Sequence, residues 1–139
     1  MTPALRHFVA AFLLCFATHS EAVELIANPG IAETSLPRSV VRSIFTMRLT
    51  SWPNGTPIRV FVLGDKNELH ALFSKRILGV FPHQLRRAWN RQIFSGTGQA
   101  PERVESEQEM LDMLSQIPGA IGYLSEDMIN EQVRTIAVE

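Results

Sequence analysis

Short runs of β-branched and aromatic residues alternate along this chain with apolar stripes at helical spacing, and that alternation narrows the fold class more than any other feature. Val23-Glu24-Leu25-Ile26-Ala27 predicts a strand, and Asn28-Pro29-Gly30 a turn after it. Ser35 is expected to cap a helix with Pro37 in its first turn, and Val40, Val41, Ile44 and Phe45 form that helix's apolar stripe. Trp52-Pro53-Asn54-Gly55-Thr56-Pro57 breaks the pattern as a loop, and Ile58 to Leu63 predicts the next strand, ended by Gly64-Asp65. A helix is expected from about Lys66 to Leu78, with Leu69, Leu72, Phe73 and Ile77 on one face. Pro82 opens another, with Leu85, Ala88, Trp89 and Ile93 inward. Ser95 to Pro101 reads as a flexible loop, and Val104 as part of a short extended piece. Ser106 and Glu109 spell a capping box, S-x-x-E. Met110, Met113, Leu114 and Ile117 then keep the clearest helical spacing in the chain, stopped by Pro118-Gly119. Ala120 to Leu124 and Val133 to Val138 predict the last strands. Strands interleaved with helices of this length favour an α/β layered domain over a sandwich or a bundle.

The first 22 residues follow a different rule. Arg6 and His7 precede the apolar run Phe8 to Ala17, and Ser20 and Ala22 place small residues at positions −3 and −1 of a cut after Ala22. A basic start, a short apolar core and small residues before a cut are the order of a secretory signal peptide over 1–22. The run is about ten residues, against about 20 needed to span a bilayer as a helix. Two other readings stay open: a buried N-terminal helix of a cytosolic protein, and a lipoprotein signal ending at Cys15. Phe12-Leu13-Leu14 lack the small residues that a lipoprotein signal places before its cysteine. Removing residues 1–22 from the 139 leaves a single domain, 23–139, of 117 residues. Cys15, the chain's one cysteine, leaves with the signal, so no disulfide, thiolate metal site or cysteine nucleophile is expected in the mature protein. The expected location is periplasmic, with no stable membrane insertion after cleavage.

Chemistry is sparse. The chain holds no G-x-S-x-G elbow, no phosphate-binding P-loop and no G-x-G-x-x-G. His70 and His83 fall in no metal-ligand spacing, so neither metal nor cofactor is expected, and no nucleophile–base pair points to an enzyme. His70 reads as a partly buried surface histidine. The net charge of −1 gives no overall attraction to nucleic acid, and none is expected as a partner. Lys75, Arg76, Arg86, Arg87 and Arg91 share an acid-free stretch, followed by Glu102, Glu105, Glu107, Glu109 and Asp112 opposed only by Arg103. That segregation reads as a solvated basic face or as a docking surface for an acidic partner. Two places could hold an anion: Gly64, Asp65, Lys66 and Asn67, where a strand turns into a helix, and the loop with Ser95 and Thr97 hydroxyls.

Several segments resemble the substrate-binding proteins of phosphate ABC importers: VELIANP, SVVRSIFTMRLTSWPNGTPIRV, FSKRILGVFPHQLRRAWNRQIFSGTGQAPERV and IPGAIGYLS. The Trp-x-x-Gly loop is similar, the Pro-Gly-Ala-Ile-Gly-Tyr run carries the likeness most specifically, and the match covers nearly all of 23–125. The resemblance is to the short, single-lobe members of that family. It implies a three-layer α/β lobe with a mixed sheet flanked by helices. It also implies binding of phosphate or a similar oxyanion, and a transporter or other periplasmic protein as partner. The family's turn after the second strand carries an arginine and a Gly-Ser-Gly-Thr-like run; the matching stretch here is Leu63 to Glu68, with Lys66 and Asn67 as donors and Asp65 as an acceptor for a phosphate proton. The alternative is an accessory module that keeps the fold without the ligand.

Overall fold

The computed structural model of the chain describes residues 22–96 and 98–139. The expected signal peptide therefore lies outside the described residues except for Ala22. Strand β1 (Val23–Ala27) is followed by β2 (Ser35–Leu36), helix α1 (Arg38–Phe45), β3 (Arg59–Val62), α2 (Glu68–Phe73) and α3 (Pro82–Phe94). Then come β4 (Glu102–Arg103), α4 (Glu107–Gln116), β5 (Ala120–Ser125), β6 (Arg134–Thr135) and β7 (Ala137–Val138). Five strands form one mixed sheet in the order β4-β3-β5-β1-β6. β3 is parallel to both β4 and β5, whereas β1 is antiparallel to β5 and β6.

Every residue of β5 is buried, which marks it as a central strand covered on both faces. Adjacent strand residues point to opposite faces, so Gly122 and Tyr123 report one layer each. A Cβ on Gly122 would meet Met110 Sδ at 2.6 Å and Leu114 Cδ2 at 3.3 Å, so α4 lies directly on that face. Tyr123 stacks on Phe73 with ring centroids 4.1 Å apart and reaches Phe45 at 6.4 Å, so α1 and α2 cover the other. α3 joins that second layer through Trp89, whose Nε1–H donates to Phe45 O at 2.7 Å. The result is the expected three-layer α/β lobe, and the predicted inward positions Val41, Ile44, Phe45, Leu69, Phe73, Leu85, Trp89, Met110 and Leu114 are all buried.

Local expectations fail where distant chain intervenes. Ser35 caps nothing: with Leu36 it forms β2, paired in parallel with β7. The backbone groups around it are taken by Ala137 N–H, Glu139 N–H and Glu139 O, so the helix starts only after Pro37. The single strand expected over Val133 to Val138 splits, because β6 pairs with β1 and β7 with β2. The helix expected from Lys66 begins at Glu68, where Asn67 Oδ1 accepts Leu69 and His70 N–H at 2.9 and 3.1 Å. It widens into a π-helical turn over Ser74–Leu78, where Ser74 Oγ–H donates to Val80 O at 2.7 Å. Ile93 is exposed rather than inward. Half of the capping box forms: Ser106 Oγ accepts Glu109 N–H, whereas the Glu109 carboxylate accepts Glu105 N–H.

Candidate functional site

β3 ends at Val62, and Leu63 to Asn67 turn the chain into α2. β4 runs parallel beside β3 and ends at the same edge, with Phe61 opposite Glu102 and Val62 opposite Arg103. Ligands of open α/β sheets sit outside the carboxyl ends of such strands. A cavity of about 470 Å3 opens there, lined by Gly64, Asp65, Lys66 and Asn67 together with Arg86, Arg103, Val104 and Glu105. The four turn residues named from sequence thus share one cavity. Arg86 and Arg103, which sequence reasoning did not place there, come from α3 and β4.

Arg86 grips Asp65 through two bonds, Nε–H and Nη2–H each 3.0 Å from a carboxylate oxygen. Its guanidinium also lies 4.9 Å from the Trp89 ring centroid. The bond from Arg86 holds the Asp65 carboxyl below its usual range, against the opposing pull of partial burial. Arg103 lies against the turn at Gly64: a Cβ there would meet Arg103 Nη2 at 3.0 Å, so the side chain packs where only a hydrogen stands. Arg103 Nε is 3.5 Å from Glu105. Lys66 is exposed at the mouth, and Asn67 spends its oxygen on the helix cap, leaving its NH2 as a donor. Three cations face two acids around the cavity. Ser95 is not part of the lining; its Oγ–H donates to Gln92 O at 3.1 Å. Thr97 lies outside the described residues.

Behind the turn stands a buried polar chain. Leu63 N–H donates to Tyr123 Oη at 2.8 Å, and Tyr123 Oη is bonded to His70 Nδ1. Burial raises the Tyr123 pKa, so the phenol keeps its proton. The phenol and His70 Nδ1 share one buried hydrogen bond, so the hydroxyl ties the backbone of the turn to α2. His70 is fully buried, not a surface histidine, and Nε2 is the one buried side-chain nitrogen or oxygen without a partner among the described residues. The period of α2 could have shown this, since position 70 follows Leu69 on the face that turns toward the sheet.

Loss of solvent lowers the His70 pKa, with Asp65 pulling it up and Arg86 pushing it down. The folded value thus lies below the unfolded one of about 6.5. Above pH 6.5 both states are neutral and the group contributes nothing. Below it only the unfolded state gains the proton, so stability falls with pH, by at most about 1.4 kcal/mol per pH unit. Urea midpoints measured from pH 7.5 to 5 should fall in the native protein and fall less in His70→Phe. Equal slopes would remove His70 from the cause.

Among the described residues no group of three His, Cys, Asp or Glu could hold a metal, and no helix is long and apolar enough to cross a membrane. No protein-family profile and no curated protein matches the chain. Solved structures do. An ABC-type phosphate transport receptor from Vibrio cholerae matches with a TM-score of 0.67 and 16% identity, over 85% of this chain and 46% of that one. A Clostridium perfringens protein assigned as a phosphate ABC transporter substrate-binding protein, solved with phosphate bound, matches at 0.68 and 17%, over 85% and 45%. PstS from Borrelia burgdorferi matches at 0.66 and 17%, over 86% and 47%. The chain has the fold of these proteins and spans just under half of their length, about one lobe.

Proposed function

We propose that this is an exported binding protein, not an enzyme, whose ligand is phosphate or a similar oxyanion held weakly at the Gly64 to Asn67 turn. The observation that carries this is the convergence of Lys66, Arg86 and Arg103 on one cavity at the carboxyl ends of β3 and β4. The likeness to a structure that holds phosphate supports the ligand class. Each donor in an open, wet site nets about 0.5–1.5 kcal/mol, so three of them correspond to millimolar affinity. Calorimetry with phosphate, sulfate and molybdate tests the proposal. Heat at millimolar ligand is expected for at least one of them, and Arg103→Gln should weaken it roughly tenfold. No heat for any of the three sinks the reading.

A second reading is an accessory module that keeps the fold and binds a transporter or other periplasmic protein instead. It is favoured by the Asp65–Arg86 pair, which neutralises the cation an oxyanion would need. Export rests on the leader at 1–22, with β1 starting directly after the cut at Val23. Mass spectrometry of the protein from a periplasmic fraction should find Val23 at the N-terminus. A retained Met1 would overturn export by cleavage.

A further inference from the structure

One face of α3 takes no part in the Gly64 cavity. Leu85 and Trp89 are its buried positions. At 100° per residue, His83, Arg87, Arg91 and Phe94 lie on the opposite side of the helix, and all four are exposed. Phe94 is 86% exposed, the most of any large hydrophobic side chain described, and Ile93 beside it is 44% exposed. Phe81, the residue before the helix, is 53% exposed and joins the stripe by stacking on His83. The line from Phe81 to Phe94 is about 20 Å long, with two arginines between two phenylalanines. No residue from 69 to 101 is acidic, so nothing along this stretch of chain neutralises it.

We propose that this stripe docks the protein on an anionic lipid surface, peripherally and without a membrane-spanning segment. The occupant must satisfy cations and exposed aromatic rings together. An anionic bilayer does both: lipid phosphates take the guanidinium forks, and the interfacial hydrocarbon takes the rings. A second copy of the chain fits less well. Its acid-rich helix α4 exposes Gln108, Asp112 and Gln116, which could meet the arginines but offer the two phenylalanines nothing apolar. A single-stranded nucleic acid fits less well too, because it needs open ring faces for stacking. Phe81 is flanked by His83, stacked at 5.7 Å and 10°, and by Lys75 at 5.7 Å.

The test is cosedimentation of the full chain with vesicles of phosphatidylglycerol mixed into phosphatidylcholine, against vesicles of phosphatidylcholine alone. Binding should require phosphatidylglycerol and weaken with salt. Arg87→Glu with Arg91→Glu should weaken it by at least about tenfold, and Phe94→Ser by roughly fivefold. All three positions are exposed, so unchanged urea midpoints should show that the fold is kept. Every variant retains the apolar run near the N-terminus, so differences between them read the stripe alone. Binding that ignores phosphatidylglycerol, or that the variants leave unchanged, overturns the proposal. So does dependence on Arg87 and Arg91 seen only with a single-stranded oligonucleotide or in self-association.

Discussion

Gly119→Ala should cost about 2–5 kcal/mol, a large part of the 5–15 kcal/mol that holds a domain of this size together. Gly119 has φ +78°, a left-handed conformation that costs a side-chain-bearing residue about 1–2 kcal/mol. There is also no room. A Cβ at this position would press into the backbone oxygen of Pro57, closer than real contacts allow, with Thr56 Cγ2 at 3.1 Å. Overpacking of this kind adds about 1–3 kcal/mol. The neighbour is backbone and cannot swing aside, because its loop is tied to the same residue. Gly119 O accepts both Trp52 Nε1–H at 3.0 Å and Arg59 N–H at 3.1 Å. Urea unfolding should show a lower midpoint at an unchanged m-value. A loss under 1 kcal/mol would mean that the 52–57 loop retreats freely, and that the Trp-x-x-Gly and Pro-Gly-Ala-Ile-Gly-Tyr runs are not locked together as described.

Tyr123→Phe should be comparably costly. It keeps the ring that stacks on Phe73 and removes only Oη. Leu63 N–H then loses its acceptor and His70 Nδ1 its partner, both in buried surroundings. An unsatisfied buried group costs about 1–3 kcal/mol, so the pair should cost about 2–6 kcal/mol. The variant should also lower oxyanion affinity, since Leu63 leads into the Gly64 turn. Urea midpoints and calorimetry read the two effects separately. A stability change within about 0.5 kcal/mol would show that water enters and replaces the hydroxyl. His70→Phe in the same background should add less than its effect alone, because the two residues share one hydrogen bond.

The basic face of residues 75–91 splits into two parts once folded. Arg86 turns to Asp65 and the cavity, whereas Arg87 and Arg91 stay in solvent. One residue of offset is a 100° rotation on a helix, which decides between a site and a surface. Nothing in the charge count separates Arg86 from Arg87.

Features that depend on neighbours within a few positions were legible along the chain. β1, β3, β5 and the inward stripes of α1, α3 and α4 follow from periods of 2 and 3.6, and the stops at Gly64 and Pro118-Gly119 follow from turn chemistry. The turn of Gly64, Asp65, Lys66 and Asn67 was legible for the same reason, as a strand running into a helix start. What meets that turn depends on folding. Arg86 reaches Asp65 across 21 residues, and Arg103 reaches Gly64 because β4 pairs with β3. Ser35 lost its expected cap to a strand more than a hundred residues away, and His70 became core through a hydroxyl on β5. These are contacts through space between segments that carry no mark of each other. Their partners are fixed by sheet order and helix rotation, which local periodicity does not encode.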